Sequence, residues 1–208
     1  MDKFVTLLTR APTKTVCPLT DNSWVDVWAD VYHCTPDEFD AFWQLRPTER
    51  HEILIMGKWV KIARFQKLYG AGSYAFSGTV MHGDPEIPPF VLKCLEVART
   101  LYPEFAAGFN GALCNWYPDG ASYIGPHSDD ERDLVPGAPI LSFSFGAVRT
   151  FRIKAKGEKS KAMDFPTRHG SMLAMCGAMQ KEFKHEITKT AMYVGPRINV
   201  TIRCFKSL

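Results

Sequence analysis

The stretch Arg197-Ile-Asn-Val-Thr-Ile-Arg-Cys-Phe205 alternates between polar and apolar side chains, and this alternation decides the fold class. Successive side chains of a β-strand point to opposite faces, so the stretch predicts a strand with one apolar and one polar face. The polar face carries Arg197, Asn199, Thr201 and Arg203. Such a face is usually solvated. Here, however, Gly195-Pro196 fixes the backbone directly before the strand.

A second predicted strand, Leu113–Tyr117, places Leu113, Asn115 and Tyr117 on one face. If this face meets the polar face of the C-terminal strand, an amide, a phenol and two guanidinium groups converge in the mouth of a barrel. Guanidinium groups bind carboxylates through paired hydrogen bonds. The two strands therefore favour a pocket for a small dicarboxylate such as 2-oxoglutarate over a solvated surface.

His127 and Asp129 are separated by one residue, so in an extended strand both side chains can reach the same ion. His185 lies far downstream and must come from another strand. Two imidazoles and one carboxylate are the ligands of non-haem Fe(II) oxygenases, which hold one face of the metal and leave the other open. The alternative is three unrelated polar residues. The order His-x-Asp, His, Arg, Arg favours the metal site.

The composition indicates an ordinary globular chain. It has 208 residues, of which 46% are hydrophobic and 23% charged, and this length suits one domain over residues 1–208. The net charge of +3 is compatible with a phosphate-bearing partner but does not require one. Six scattered cysteines without a CxxC pair predict reduced thiols in an intracellular protein. No signal peptide and no membrane span are expected.

Two helices are predicted ahead of residue 110. Thr35 can cap the first, with Pro36 at its first position and Glu38 completing a capping box. The second runs from Pro89 to Leu101. The predicted strands are Ala112–Tyr117, Ile124–Asp129, Ile140–Phe145, Thr150–Lys154, Ser171–Cys176 and Arg197–Phe205. Together these elements predict an α+β fold, a double-stranded β-helix (jelly roll) over residues 110–205 with buttressing N-terminal helices.

Several motifs resemble the AlkB family of Fe(II)/2-oxoglutarate-dependent nucleic-acid dealkylases. The stretch from Asn115 through Tyr117-Pro-Asp-Gly and His127-Ser-Asp129 carries the resemblance, which continues through Pro139–Gly146 and Arg149-Thr-Phe151. It ends in Pro196-Arg197-Ile-Asn-Val-Thr-Ile-Arg203 and covers most of residues 53–205. The likeness is greatest to the eukaryotic branch that repairs alkylated bases in duplex DNA.

The resemblance implies a role for each residue of the pocket. His127, Asp129 and His185 would bind Fe(II). Arg197 and Tyr117 would hold the far carboxylate of 2-oxoglutarate, Arg203 and Asn115 would serve its iron-chelating end, and Asn199 and Thr201 would support them. The chemistry implied is oxidative decarboxylation of 2-oxoglutarate with O₂, hydroxylation of an N-methyl group and release of formaldehyde. Ascorbate would serve as reductant in vitro.

The resemblance also assigns residues 53–80 to a nucleotide-recognition lid, because a base must be flipped out of a duplex before it can reach a metal. The implied base-side residues are the finger hairpin Met56, Gly57 and Lys58, the phosphate or gap contact Arg64, the pocket residues Tyr74 and Phe76, and the acidic pair Asp130 and Glu131. The acidic pair would favour cationic bases such as 1-methyladenine and 3-methylcytosine. For the aromatic residues and Met56, core packing is the alternative.

Two departures from the duplex-repair pattern leave the strand form open. The finger carries Met56 where those relatives have an aromatic residue. The segment after His185 carries one lysine, Lys189, where they have a basic cluster. The run Lys154–Lys161 is either a substitute phosphate contact or a solvated hairpin loop.

The leading hypothesis is therefore oxidative demethylation of N-alkylated bases in single- or double-stranded DNA. The alternatives are an RNA demethylase, a protein hydroxylase of the same superfamily, and a non-catalytic binder of damaged nucleic acid. The family likeness implies a monomer, and a DNA substrate implies a nuclear location in a eukaryotic cell.

Overall fold

The computed structural model describes residues 11–76, 79–157 and 161–206, and most strands in these ranges belong to two antiparallel sheets. The major sheet has seven strands in the order β1-β2-β13-β10-β15-β8-β5. Its strands are β1 (Thr13–Pro18), β2 (Ser23–Ala29), β5 (Phe65–Gly70), β8 (Phe109–Tyr117), β10 (Ile140–Gly146), β13 (Ser171–Gly177) and β15 (Arg197–Cys204). Three of them, β1, β2 and β5, come from outside the predicted core at 110–205.

The minor sheet has four strands in the order β12-β11-β14-β9. They are β9 (Ile124–His127), β11 (Arg149–Ala155), β12 (Met163–Thr167) and β14 (Phe183–Ile187). Two separate hairpins lie in the predicted lid region, β3 (Glu52–Ile55) with β4 (Lys58–Lys61), and β6 (Ser73–Phe76) with β7 (Thr79–His82). The two-sheet architecture confirms the predicted jelly roll.

Both predicted helices are present. Helix α1 (Pro36–Gln44) begins with the predicted capping box, in which Thr35 accepts from the Glu38 backbone and Glu38 accepts from the Thr35 backbone. Helix α2 (Pro89–Leu101) has the predicted bounds. A 3₁₀ turn (Pro103–Phe105) and a short helix α3 (Met179–Glu182) complete the described helices. No helix in the described ranges is both long and apolar enough to cross a membrane.

Strand β15 explains how the layers are arranged. Its apolar residues Ile198, Val200 and Ile202 are fully buried and share one core cluster with helix α2. Its opposite face lines a cavity whose other wall is formed by strands of the minor sheet. The layers are therefore stacked in the order helices, major sheet, cavity, minor sheet. The polar face of β15 consequently lies inside the protein and not in solvent.

The N-terminal hairpin was not predicted as strands. Strand β1 is mostly exposed and pairs only with β2 along its length, so its sequence lacks the alternation that a half-buried strand shows. Trp28 of β2 packs inward, where its indole N–H donates to the Tyr102 hydroxyl at 3.0 Å. Trp24, on the same strand, is 37% exposed.

Candidate metal centre and anion pocket

Three predicted metal ligands converge at one end of the cavity. His127 of β9 and His185 of β14 are cross-strand partners, and their ring centroids lie 4.3 Å apart. Asp129 follows β9, with Oδ1 3.6 Å from His127 Nε2 and Oδ2 3.8 Å from His185 Nε2. One ligand atom from each residue lies within 4.8 Å of the others, so the three can hold one metal ion.

Hydrogen bonds orient these ligands. His127 Nδ1 donates to the Gly125 carbonyl at 2.9 Å, which leaves the Nε2 lone pair for a metal. The Asp129 backbone N–H donates to Gln180 Oε1 at 2.9 Å. The adjoining Ser128 hydroxyl donates to the Phe183 carbonyl at 2.8 Å and ties the ligand turn to β14.

The charges of the three groups suit metal binding. Burial lowers the pKa of His127, and burial followed by the repulsion of His127 lowers the pKa of His185 to about 3, so both imidazoles are neutral near pH 7. Burial raises the pKa of Asp129, but Arg203 and the two histidines together hold it below its ordinary value. The site therefore offers two neutral nitrogens and one carboxylate, the donor set that Fe(II) takes in non-haem oxygenases.

All six residues predicted to bind the co-substrate line the same cavity as the metal ligands. They are Asn115, Tyr117, Arg197, Asn199, Thr201 and Arg203. Cross-strand pairing explains this, because Arg197 lies opposite Tyr117, and Asn199 lies opposite Asn115, on adjacent strands. Paired residues of an antiparallel ladder point to the same face. The period-two reading of β15 and β8 thus placed each side chain on the correct face.

Arg197 is a buried cation with unused hydrogen-bond donors. Its side chain donates from Nη2 to Ser144 Oγ at 2.9 Å and stacks over the Tyr117 ring at 5.0 Å. Its Nε and Nη1 have no hydrogen-bond partner among the described residues. Burial lowers the pKa of Arg197 to about 10, so the group is still charged near pH 7. A buried guanidinium with free donors fits a carboxylate ligand.

An amide network forms the floor between the two arginines. Asn199 Nδ2 donates to Ser142 Oγ and to the Phe143 carbonyl, and its Oδ1 accepts from Asn115 and Thr201. Ser142 and Ser144 of β10 were not selected from the sequence. They alternate with Leu141, Phe143 and Phe145 in the same period of two, and that pattern could have identified them.

Arg203, predicted to serve the chelating end of 2-oxoglutarate, lies beside the metal ligands. Its guanidinium is paired with Asp129 Oδ1 at 2.9 Å and with Glu131 Oε1 at 2.6 Å, and it stacks over the Tyr74 ring at 4.9 Å. Asp129 and Glu131 raise the pKa of Arg203 despite its burial. Arg203 therefore offsets one of the two negative charges beside the metal position, and its Nε has no hydrogen-bond partner among the described residues.

Three predicted base contacts are placed differently from expectation. Glu131, expected to attract a cationic base, is ion-paired with Arg203, which also pairs with Asp129, so its charge is partly offset. Asp130 is exposed and lines a different cavity. Arg64, expected at phosphate or at the gap in a duplex, is 5% exposed and donates to Asn115 Oδ1 at 2.8 Å. For Glu131 and Arg64, the difference comes from side-chain partners that are distant in sequence.

The other base-side residues lie as follows. Met56 is 98% exposed at the turn between β3 and β4, where Met56 and Gly57 both have positive φ, and Lys58 begins β4 in solvent. Tyr74 is buried and lines the cavity. The side chain of Phe76 lies outside the described residues, as does Lys159 of the basic run. Lys154 and Lys161 are exposed, and Lys156 donates to the Gln180 carbonyl.

Arg149 is a structural residue that the sequence did not single out beyond its motif. Its side chain is buried at the start of β11 and donates to four backbone carbonyls, those of Asp119, Gly120, Ser122 and Thr188. It therefore joins the loop after β8 to the loop after β14. The predicted strand began one residue later, at Thr150; extending it by one residue would have placed Arg149 on the same face as Phe151 and Ile153.

Comparison with known proteins gives consistent findings. Residues 46–203 match the family described as the 2OG-Fe(II) oxygenase superfamily. The chain is 36% identical over 160 residues to the "DNA oxidative demethylase ALKBH2" of Homo sapiens, which covers 73% of this chain and 60% of that protein. It is 33% identical over 150 residues to the "Alpha-ketoglutarate-dependent dioxygenase alkB homolog 3" of Mus musculus, covering 67% and 51%.

The chain thus spans between half and two thirds of the length of these relatives. A solved structure described as "The structure of OsALKBH1" matches with a TM-score of 0.59 and 14% identity, over 91% of this chain and 100% of that chain. At that identity the likeness concerns the fold.

Proposed function

The chain belongs to the 2OG-Fe(II) oxygenase superfamily, and we propose that it is a dioxygenase that oxidatively removes methyl groups from N-alkylated bases in DNA. The motif-based likeness to the AlkB family is confirmed by its relatives. One observation carries the proposal: a His-Asp-His cluster and a buried arginine with free donors share one cavity. A protein that only binds damaged nucleic acid needs neither.

The residues present fit both implied groups. His127, Asp129 and His185 would hold Fe(II), and Arg197 with Tyr117 would bind the far carboxylate of 2-oxoglutarate. Bound iron and 2-oxoglutarate supply the activation of O₂ that oxidises a C–H bond. The hydroxylated N-methyl group is a hemiaminal, which releases formaldehyde and restores the base. The protein's own contribution is to fix the ligands and to hold the methyl group near the metal.

The hairpins ahead of the cavity support a base as substrate. A base in a duplex must leave the stack before its methyl group can reach a buried metal. Met56 is an exposed apolar tip that can fill the space between base steps. Tyr74, buried beside Arg203, can contact the base that enters. Because Arg203 offsets one of the two negative charges of Asp129 and Glu131, the attraction for a cationic ring is weaker than the acidic sequence implied.

The experiment is demethylation of synthetic oligonucleotides that carry 1-methyladenine or 3-methylcytosine, with Fe(II), 2-oxoglutarate and ascorbate supplied. We expect mass spectrometry to show the loss of one CH₂ unit per lesion, because N–CH₃ becomes N–H, with succinate and formaldehyde formed in step. Parallel arms contain single-stranded DNA, duplex DNA, RNA and a protein lysate. Succinate formation stimulated by RNA or by protein, and not by DNA, would replace the proposal with one of the other hydroxylase functions.

The variant His185→Ala is the first test of the metal assignment. Removing one of three ligands should abolish formaldehyde release, because two ligands no longer fix the metal. Nucleic-acid binding should persist, since His185 is 5% exposed and lies at the base of the cavity. His169→Ala is the matched control, because His169 hydrogen-bonds Gly146 and Cys34 and does not line the cavity. Wild-type turnover in His185→Ala would remove His185 from the site.

Oligomeric state and compartment are part of the proposal. The family likeness implies a monomer, and a DNA substrate implies a nuclear location in a eukaryotic cell. Light scattering of the purified chain and a fluorescent fusion expressed in cells test the two statements separately.

A further inference from the structure

Two neighbouring apolar residues, Met192 and Tyr193, are unusually exposed. They lie in the loop between β14 and β15, residues 188–196, and are 75% and 100% exposed. Among the described large apolar residues only Met56, at the finger turn, is comparably exposed at 98%. Single exposed apolar residues are common, whereas adjacent ones form an apolar patch that can serve as a contact surface.

The loop is held in place at its base. The Thr190 backbone N–H donates to the Gly120 carbonyl at 3.0 Å, and the Met192 N–H donates to Thr190 Oγ1 at 3.1 Å. A Cβ on Gly120 would lie 2.6 Å from the Thr190 carbonyl oxygen, so the two loops touch through this glycine. Arg149 adds hydrogen bonds to both loops. Tyr193 is therefore presented by an ordered support, which lowers the entropy lost on binding.

The loop lies at the same end of the major sheet as the finger hairpin. Trp116, near the end of β8, pairs with Ile198 on one side and with Phe65 on the other. The loop 188–196 leads into β15, and the finger hairpin leads into β5, so their bases are two strand spacings apart, or about 10 Å. The loop also joins two residues that line the cavity, Ile187 before it and Arg197 after it, so its base lies at one end of that cavity.

Charge argues against a phosphate contact by this loop. Lys189 is the only charged residue in 188–196, and its ammonium lies over the Tyr123 ring at 4.3 Å from the centroid. An exposed aromatic ring suits the face of an unpaired base, which stacks on aromatic side chains regardless of sequence. A base inside a duplex has both faces covered by its neighbours.

We infer that Tyr193 is a stacking platform for an unpaired nucleotide beside the target base, and that it makes the protein prefer single-stranded over duplex substrates. The inference rests on the proposed function and adds the strand form to it. Met192 would pack against the edge of the same base. The chemistry recognised is an unpaired base in DNA or in RNA.

The test is fluorescence anisotropy of one labelled 3-methylcytosine oligonucleotide, single-stranded and hybridised, with Mn(II) in place of Fe(II) to prevent turnover. We expect the wild type to bind the single strand more tightly. Tyr193→Ala should weaken that binding about tenfold, within the range that stacking contributes, and Tyr193→Phe should retain it. Val16→Ala, an exposed apolar change on edge strand β1 at the opposite end of the strand order, should have no effect.

A second variant moves the loop without altering its tip. Gly120→Ala should weaken single-strand binding as well, because the added Cβ displaces Thr190. Unchanged single-strand affinity in Tyr193→Ala, or an equal loss for duplex and single strand, would overturn the inference. Succinate formation without nucleic acid should be normal in Tyr193→Ala, since Tyr193 does not line the cavity. A wild type that demethylates no strand would refute the proposed function instead.

Discussion

Arg197 and Arg203 lie on the same face of one strand, six residues apart, yet their surroundings are opposite. Arg203 is balanced by Asp129 and Glu131, whereas Arg197 meets a hydroxyl and an aromatic ring and no carboxylate among the described residues. A buried cation without an acidic partner is costly in a protein interior. A ligand carboxylate would remove that cost at Arg197. At Arg203, which already has two carboxylate partners, a further carboxylate would remove no such cost.

Replacing Arg197 should therefore weaken 2-oxoglutarate binding selectively. Truncating one partner of a buried charge pair typically costs about 2–5 kcal/mol, so Arg197→Met should raise the KM for 2-oxoglutarate at least roughly 30-fold. Succinate formation measured against 2-oxoglutarate concentration gives this value. Arg152→Met is the control, because Arg152 is partly exposed and pairs with Asp164 on the outer side of the minor sheet. An unchanged KM in Arg197→Met would exclude Arg197 from the co-substrate site.

At the level of single residues, the sequence predicted correctly on which face of a strand a side chain lies. It was less successful in predicting which residue that side chain contacts. The period of two placed Asn115, Tyr117 and the polar residues of β15 correctly, because alternation is a local property of the strand. The partners of Glu131 and Arg64 were not predicted, because each side chain contacts a residue that is distant in sequence, Arg203 and Asn115 respectively. Such pairings depend on strand order, which the sequence alone did not specify.

At the scale of elements, helix α1 depends on its N-terminal cap. Thr35 and Glu38 exchange hydrogen bonds, and Glu38 also accepts from Lys93 of α2, so one side chain joins the two helices. Burial raises the pKa of Glu38, but Lys93 and the Thr35 backbone together lower it below the ordinary value. A carboxylate with a lowered pKa stabilises the fold above its unfolded pKa, and the stabilisation disappears as pH falls.

Two variants of this cap should behave differently with pH. Thr35→Ala should lower the free energy of unfolding by about 1 kcal/mol, because it removes the side chain that caps the helix. Glu38→Gln should cost less than about 1 kcal/mol near pH 7, since the Lys93 pair is partly exposed. Its difference from the wild type should begin to shrink as pH falls below 4.5, the ordinary value for glutamate, and should vanish below the lowered pKa of the folded state. Urea unfolding at pH 7 and at pH 4 measures both effects, and a difference that grew in acid would contradict this account of Glu38.

Two of the missed strands lie at the edges of the sheets. β1 is an exposed edge, and β12 contains Pro166 within five residues, so neither shows the apolar periodicity of a half-buried strand. β2 and β14 were missed as well, although each lies between two other strands and β14 carries His185. The helices were predicted within a few residues, because capping boxes and helical spacing are local signals.

For the whole molecule, a metal would link the two sheets. His127 and His185 belong to the minor sheet, and Asp129 is tied through Arg203 to β15 of the major sheet. A metal that binds only the folded state stabilises it by about 2.7 kcal/mol at a concentration one hundred times its Kd. For a chain of this size that corresponds to a rise in Tm of roughly 5–10 °C.

Mn(II) added to metal-free protein should therefore raise Tm in differential scanning fluorimetry, and a chelator should reverse the shift. The same titration with His185→Ala should give little or no shift, because the third ligand is missing. His169→Ala should respond as the wild type does. An equal shift in His185→Ala would place the stabilising metal elsewhere.

Strand β15 lies between two partners in the middle of the major sheet, with packing residues on one side and reactive-site residues on the other. A slip of one position along β8 or β10 would exchange the two sides completely. Guanidinium groups would then enter the hydrocarbon layer beneath α2, and isoleucines would fill the place of the co-substrate. A chain with that wrong register would be both unstable and inactive. Activity in this protein therefore reports that β15 has paired in the correct register.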